Sequence, residues 1–160
     1  MQLAKKLTLL RHGEAALGAG QSEDIKRNLT PHGRQQLTRL SNLLESEEIN
    51  FDFALSSPAT RCIESLEIIN KDKRIPKVEK DLSIYDASVM GLLKTINSLD
   101  EAYSNVLLVG HNPGISHFVG FLTGDSSLVF VPGMLVRISF EFPRWKLISR
   151  NSGNILEVMQ

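Results

Sequence analysis

The chain has few cysteines, no excess of charge of one sign and no long apolar stretch. Its 160 residues include a single cysteine, Cys62, which excludes an intramolecular disulfide and fits a reducing compartment. The 18 Lys and Arg residues equal the 18 Asp and Glu residues in number, which argues against a nucleic-acid or anionic-membrane surface. The run Leu7–Leu10 is too short for the apolar region of a signal peptide, and no stretch approaches the roughly 20 apolar residues of a membrane span. We therefore expect a cytoplasmic protein with no membrane or nucleic-acid partner.

Motifs for metal and nucleotide chemistry are also missing. The sequence has no His-Glu-x-x-His, no closely spaced histidine pair and no cysteine pair, so the common zinc-binding patterns are absent. The phosphate-binding loop Gly-x-x-x-x-Gly-Lys-Ser/Thr is absent too, since Gly18 and Gly20 lack its spacing and are interpreted as flexible loop. We expect neither a metal nor a cofactor.

Short apolar segments alternate with amphipathic segments along the chain. Strands are predicted at Lys6–Leu10, Phe51–Ser56, Ile75–Glu79 and Asn105–Val109, with Met134–Phe140 and Trp145–Ser149 as a closing antiparallel pair. Helices are predicted to start at Thr30-Pro31, Ser57-Pro58, Val89 and Asn112-Pro113, the last ending at Gly124, and Ala15–Asn28 is predicted to be a loop. This alternation indicates an α/β fold comprising residues 1–160 as a single domain, with a mostly parallel sheet and helices on both faces, a three-layer α/β/α arrangement.

The first long helix shows the pattern most clearly. Leu37, Leu40, Leu43 and Leu44 recur at helical spacing and are predicted to form one apolar face directed at the core.

Basic and imidazole side chains follow three of the predicted strands. The motifs are Arg11-His12-Gly13-Glu14, Ser56-Ser57-Pro58-Ala59-Thr60-Arg61 and Gly110-His111-Asn112-Pro113-Gly114. Open α/β sheets bind ligands at the carboxyl ends of their strands. Two guanidinium groups and two imidazoles at that edge predict a phosphate site.

Each of these side chains suits one role in phosphoryl transfer. His12 is the candidate nucleophile, because a neutral imidazole attacks phosphorus when its other nitrogen is hydrogen-bonded. Arg11 and Arg61 are expected to clamp the phosphoryl oxygens, with Arg61 in the first turn of a helix whose dipole also favours an anion. His111 is expected to donate a hydrogen bond to the transferring group. Asn112 is interpreted primarily as a helix cap, with substrate binding as the alternative.

The motifs together resemble the histidine phosphatase superfamily, whose members share the phosphoglycerate mutase-like fold. Arg11-His12-Gly13-Glu14, Leu29-Thr30-Pro31-His32-Gly33, Ser56–Arg61 and Gly110-His111-Asn112 occur in that family's order. The short chain and the Gly-His-Asn-Pro-Gly form resemble its small SixA-type phosphohistidine phosphatase branch, from Leu7 to about Leu147.

The resemblance implies that His12 becomes transiently phosphorylated. It also implies that Arg11, Arg61 and His111 complete the phosphate pocket without a metal. We further expect Gly13 and Asn112 to contact the substrate.

The residue that protonates the leaving group is not evident. Larger members of the family carry a glutamate in the region that corresponds to Asp81–Asp86; here Asp81 and Asp86 are the candidate acids, and each is equally a candidate turn or helix cap. A weak or missing acid favours a phosphoramidate, because a departing imidazole has a pKa near 6.5 and is protonated by solvent.

The predicted function is a metal-independent phosphatase for phosphohistidine on a phosphorelay or phosphotransfer protein. The short connections, in which only Ala15–Arg27 could form a flap, agree with such a protein substrate. One alternative is a phosphatase or mutase acting on a small phosphorylated substrate. The other is a non-catalytic phosphate-binding module.

Overall fold

The computed structural model describes residues 4–18 and 21–160. Six strands form a sheet in the order β3-β2-β4-β1-β5-β6. The strands are β1 (Lys6–Arg11), β2 (Phe53–Ser56), β3 (Val78–Lys80), β4 (Asn105–Gly110), β5 (Leu135–Phe140) and β6 (Gly153–Met159). The helices are α1 (Gln21–Asp24), α2 (Pro31–Ser46), α3 (Thr60–Ile69), α4 (Val89–Asn97) and α5 (Gly114–Thr123). Within these described residues, every helix is too short or too polar to cross a bilayer.

The central strands run parallel and end together. Strand β4 pairs in parallel with both β1 and β2, and β2 pairs in parallel with β3. The register places Arg11 beside Gly110, and Ser56 beside Val109. The residues that follow β1, β2 and β4 therefore emerge side by side at one edge of the sheet.

Helices cover both faces of this sheet. On one face, Leu37 and Leu40 of α2 belong to the buried cluster that contains Leu10. On the other face, Leu92 of α4 and other apolar residues of α4 and α5 share a cluster with Leu9. Adjacent residues of a strand point to opposite faces of the sheet, so Leu9 and Leu10 pack against different helix layers. The predicted three-layer α/β/α architecture is confirmed.

Several helix ends lie where the sequence predicts them. Thr30 precedes α2, and its Oγ1 accepts a hydrogen bond from the Gly33 amide at 2.9 Å, while Pro31 is the first helical residue. Gly124 ends α5 with a φ of 81°, the left-handed conformation that glycine adopts readily. In α2 the prediction for Leu43 is wrong, because its side chain is 36% exposed.

The start of α3 is two residues later than predicted. Its N-cap position is Ala59, without a side-chain cap, and Thr60 is the first helical residue. Ser57 instead accepts a hydrogen bond at Oγ from the Ala59 amide, at 3.2 Å, within the loop after β2. Its hydroxyl therefore stabilises the loop rather than the helix.

Other boundaries differ from the sequence prediction. The predicted loop Ala15–Asn28 contains the short helix α1, and residues 19 and 20 of this loop, including Gly20, lie outside the described residues. The third strand is shorter than predicted and begins at Val78. These segments carry weak periodicity, so their structure depends on tertiary contacts.

The predicted antiparallel pair is wrong in its second member. Residues Trp145–Leu147 form one turn of 3-10 helix, and β5 pairs with β6 on one side and with β1 on the other, antiparallel to both. Trp145 and Ile148 are both buried, a spacing of three that a strand does not produce. The indole of Trp145 donates to the Tyr103 carbonyl oxygen at 2.8 Å.

Candidate active site

The loops after β1, β2 and β4 border an open cavity of about 960 Å3 at the carboxyl edge of the sheet. The residues that line it are Arg11, His12, Leu17, Gly18, Asp24, Arg27, Arg61, Tyr85, Asp86, His111 and Asn112. The two arginines and two histidines predicted from the strand ends therefore share one site.

His12 is held in the tautomer that a nucleophile needs. Its Nδ1 lies 2.7 Å from the Gly13 carbonyl oxygen, and its Nε2 lies 3.3 Å from Nε of Arg61. A guanidinium group can only donate, so Nε2 accepts and Nδ1 carries the hydrogen. Burial, and secondarily the charges of Arg61, Arg11 and Arg27, lowers the pKa of His12 to about 4 against the opposing effect of the Gly13 carbonyl. The imidazole is therefore neutral near pH 7, with its lone pair at Nε2.

Arg61 connects the two histidines. It is the second residue of α3 and is buried. While Nε donates to His12, Nη2 lies 3.3 Å from Nδ1 of His111. The outer edge of the guanidinium donates to Asp24, from Nη1 to the backbone oxygen at 2.7 Å and from Nη2 to Oδ2 at 3.1 Å. Arg61 thus directs one edge at both imidazoles, whose ring centres are 5.3 Å apart.

His111 is neutral as well, with the opposite tautomer. Because Arg61 donates to Nδ1, the hydrogen of the neutral ring is on Nε2, which donates to Oγ of Ser57 at 2.8 Å. Burial, followed by the charge of Arg61, lowers the pKa of His111 to about 3. The Tyr85 ring also packs against this imidazole, nearly at a right angle to it, with the ring centres 5.3 Å apart.

Arg11 and Asn112 are fixed by the same backbone group. Nη1 of Arg11 and Nδ2 of Asn112 donate to the Phe130 carbonyl oxygen at 2.7 and 2.9 Å. Burial and then the nearby charge of Arg61 lower the pKa of Arg11, as expected when two cations share a site. The cap interpretation of Asn112 is wrong, since α5 has no side-chain cap and Asn112 Oδ1 instead accepts from the Ser116 hydroxyl at 2.7 Å.

Gly13 does not line the cavity, in contrast to the expectation from the sequence. Its amide donates to Oγ of Ser65 at 3.0 Å, behind His12. A Cβ at this position would lie 2.5 Å from Cδ2 of Leu37 and 2.9 Å from the backbone oxygen of Gly33. Close packing against α2, rather than substrate contact, explains the glycine.

The two candidate acids lie in different places. Asp81 is not among the residues that line the cavity, and its Oδ1 accepts from the Ser83 amide at 2.9 Å and from the Ser83 hydroxyl at 2.6 Å. It caps a turn, so its position does not support a role as the acid. Asp86 lines the cavity and is exposed.

Sequence reasoning missed three side chains of the site. The Asp24 carboxylate accepts from the Tyr85 hydroxyl, from Nη1 of Arg27 at 3.0 Å and from Arg61. These bonds, that of Tyr85 foremost and then that of Arg27, hold the pKa of Asp24 well below its usual range. The spacing of Asp24 and Arg27, three residues apart, was the available signal. No local pattern places Tyr85 beside them.

Cys62 lies beside His111, with its Sγ 3.5 Å from Nε2 of the ring. Its thiol is fully buried, and burial raises its pKa to about 12, so the reactive thiolate is not formed near neutral pH. Among residues 4–18 and 21–160, no three His, Cys, Asp or Glu side chains are grouped so that they could hold a metal ion. Metal independence itself stays a prediction.

Comparisons with known proteins agree with the resemblance in the motifs. The family model of the histidine phosphatase superfamily (branch 1) matches residues 7–84. The phosphohistidine phosphatase SixA of Escherichia coli (strain K12) is 25% identical over 137 residues, covering 83% of this chain and 84% of that protein. The structure of a candidate phosphohistidine phosphatase SixA from Nakamurella multipartitia superposes on this chain with a TM-score of 0.85 at 23% identity. The superposition covers 98% of this chain and 96% of that chain. A structure of the protein histidine phosphatase SixA with tungstate gives a TM-score of 0.82 at 22% identity, covering 96% of each chain. Together, these comparisons support a histidine phosphatase enzyme that is similar to the SixA-type members of the histidine phosphatase superfamily.

Proposed function

We propose that the protein hydrolyses phosphohistidine on another protein through a phosphohistidine formed on its own His12. The observation that carries the proposal is the position of Arg61, whose guanidinium lies 3.3 Å from both Nε2 of His12 and Nδ1 of His111. An anion bound beside this guanidinium would contact three groups at once: the proposed nucleophile His12, the positive charge of Arg61 and the imidazole of His111. Such preorganised donors stabilise charge that develops during transfer.

In the first step, an oxygen of the incoming phosphoryl group accepts the hydrogen bond that Nε of Arg61 otherwise donates to Nε2 of His12. The present contact with His12 is long, at 3.3 Å, and its acceptor is an uncharged imidazole, so a bond from Arg61 to an anionic oxygen replaces it readily. The released lone pair of Nε2 then attacks phosphorus. A P–N bond to His12 forms while the P–N bond of the substrate breaks, and the leaving imidazole takes a proton from water. The Gly13 carbonyl stabilises the positive charge that His12 acquires through Nδ1–H.

In the second step, water attacks the phosphorus of phosphorylated His12. The P–Nε2 bond breaks, its electron pair returns to Nε2, and inorganic phosphate leaves with the hydroxyl of the attacking water. The second proton of that water passes to solvent. Arg11, Arg61 and His111 hold the phosphoryl oxygens in both steps, and neutral His12 is restored.

The acid groups of the cavity favour a phosphoramidate substrate. Asp24 lines the cavity but is held ionised by Tyr85, Arg27 and Arg61, so it is a poor proton donor near pH 7. Asp86 lies exposed in the lining. Solvent can protonate a departing imidazole without a placed acid, whereas an alkoxide leaves poorly under the same conditions. The E. coli relative is named for phosphohistidine hydrolysis, which supports the same choice.

A protein is the proposed carrier of the phosphoryl group. The cavity is broad and open, and the side chain of Leu17 in its lining is 96% exposed. A phosphohistidine at the surface of a partner domain has room to enter. The proposed setting is a phosphorelay or phosphotransfer reaction in the cytoplasm, without a metal or cofactor.

Asp86 favours a second candidate, a phosphatase or mutase acting on small phosphomonoesters. If this carboxyl group donates a proton, an alkoxide leaving group becomes accessible. A fold shared across a superfamily does not decide between these substrates. A non-catalytic binding module is the weaker alternative, because it gives no reason for an unprotonated Nε2 of His12 beside the guanidinium of Arg61.

The test uses a phosphohistidine-bearing domain in the presence of a chelator, with release of phosphate as the readout. We expect hydrolysis by the wild type, no hydrolysis by His12→Ala and much slower turnover of an alkyl phosphomonoester such as glycerol 2-phosphate, whose alkoxide leaving group needs an acid. Asp86→Asn should leave the phosphohistidine reaction unchanged. Faster turnover of the phosphoester than of phosphohistidine, with loss of the former in Asp86→Asn, would support the second candidate instead.

A further inference from the structure

His111 presents the wrong nitrogen for the role that it is expected to perform. In the ligand-free site its Nδ1 accepts from Arg61, and its hydrogen is on Nε2, directed at Ser57. An anion beside Arg61 therefore meets a lone pair at Nδ1, which repels a phosphoryl oxygen. To donate to that oxygen, His111 needs a hydrogen at Nδ1.

Adding a second proton to the ring is opposed by its surroundings. His111 is largely buried, and Arg61 and Arg11 place positive charge beside it, with Asp24 as the opposing negative group. Moving the hydrogen from Nε2 to Nδ1 keeps the ring neutral. That movement requires a partner at Nε2 that can change from acceptor to donor.

The Ser57 hydroxyl is such a partner. It lies 2.8 Å from Nε2 of His111 and is fully buried. A hydroxyl both accepts and donates, and rotation about its C–O bond exchanges the two roles. The Ala59 amide holds the oxygen in place by donating to it at 3.2 Å. Its position is thus fixed while its hydrogen is free to rotate.

The thiol of Cys62 also lies near Nε2 of His111, but it is a poorer hydrogen-bond partner than the Ser57 hydroxyl. Sγ of Cys62 lies 3.5 Å away, and its thiol also faces the Gly110 carbonyl oxygen at 3.8 Å. A thiol is a weak donor and a weak acceptor. Ser57 is therefore the group at Nε2 that can hydrogen-bond to either tautomer of His111.

We propose that Ser57 is a positioning residue that switches the tautomer of His111 when an oxyanion enters the site. The hydroxyl rotates and donates to Nε2, so that Nδ1–H of His111 donates to a phosphoryl oxygen. One proton leaves Nε2 for the solvent of the cavity and one is taken up at Nδ1, which leaves the charge of the ring unchanged. The kinetic consequence of this switch rests on the proposed function, whereas the switch itself does not.

The direct test is 15N NMR of the histidine rings during titration with tungstate, with His111 assigned by comparison with His111→Ala. We expect Nε2 of His111 to be protonated in the free wild-type protein and Nδ1 to be protonated at saturating tungstate. Retention of the hydrogen on Nε2, or protonation of both nitrogens, would overturn the proposal. No catalysis is needed, so this outcome is separate from any failure of the proposed function.

A double-mutant cycle supplies the kinetic test. Ser57→Ala is expected to lower kcat about tenfold with little change in KM, the usual effect of losing one hydrogen bond in a transition state. In a His111→Ala background the same change should have no further effect. Ser56→Ala is the matched control, because its buried hydroxyl donates to the Ser57 backbone oxygen rather than to His111, and its kcat should stay near wild type. An equal loss from Ser57→Ala in both backgrounds would show a purely structural role.

Discussion

Nε of Arg61 donates to Nε2 of His12 across 3.3 Å in the ligand-free site. The same guanidinium reaches His111 through Nη2. One planar group thus sets the tautomer of both imidazoles in the ligand-free site, adds to the burial that lowers their pKa values, and places a positive charge beside them that would attract an oxyanion.

Arg61→Lys tests whether the planar guanidinium group of Arg61 is needed for activity. An ammonium group is a point charge that cannot face both histidines and Asp24 at once. We expect kcat/KM on a phosphohistidine substrate to fall about 10²–10³-fold. Arg34→Lys is the control, since Arg34 is half-exposed and pairs with Glu64, and its kcat/KM should match wild type. An Arg61→Lys enzyme within a few-fold of wild type would contradict the bridging role.

Asp24→Asn tests how Arg61 is held. The Asp24 carboxylate and backbone oxygen bind the outer edge of the guanidinium, leaving the inner edge for the anion. Loss of the charge weakens this anchor, and we expect kcat/KM to fall about tenfold. Asp72→Asn, which alters an exposed pair with Arg74, should have no effect. An increase in kcat/KM for Asp24→Asn would mean that the carboxylate competes with the phosphoryl group.

The pH dependence of kcat/KM reports the protonation of free His12. Attack requires the unprotonated ring, and the pKa of His12 is lowered to about 4. Activity should therefore rise with pH through about 4 and remain on a plateau through 6.5, the ordinary histidine value. The measurement covers pH 4 to 8 with the enzyme-free hydrolysis subtracted at each point. An acid limb centred near 6.5 would show that His12 is not shielded as the structure indicates.

Gly33→Ala tests the packing that supports the loop of His12. A Cβ at Gly33 would lie 2.1 Å from the Glu14 backbone oxygen, so α2 and the loop would have to separate. We expect the free energy of unfolding in urea to fall by about 1–3 kcal/mol. Gly91→Ala in α4 is the control, since its nearest neighbour is a side-chain oxygen of Ser88 at 3.2 Å, and it should be neutral or stabilising. Equal stability of the Gly33 variant and wild type would refute the close approach.

The central strands, and the convergence of Arg11, His12, Arg61 and His111 at one cavity, could be predicted because their signals are local. Buried strands such as β1 and β4 are largely apolar, and Arg11 ends the first while His111 directly follows the second. Parallel pairing then brings Arg11 and His111 to the same edge without further information. The order of these motifs was enough to place Arg61 with them.

The remaining features depend on contacts that are distant in sequence. Asp24 meets Tyr85 across 61 residues, in a segment with no periodicity. The alternation of apolar and polar residues from Trp145 to Ser149 is typical of a strand. The structure instead has a turn of 3-10 helix there, in which Trp145 and Ile148 are both buried. Asp81 and Asp86 look equivalent in the sequence, and only the path of the chain after β3 separates them.

Trapping the phosphorylated enzyme is the sharpest test of whether His12 is the nucleophile. The protein is mixed with a phosphohistidine-bearing domain, quenched in base within a single turnover and digested for mass spectrometry. We predict one base-stable, acid-labile phosphoryl group on the peptide that contains His12, and none in His12→Ala. Phosphate release without that label, or a label on another residue, would contradict the account.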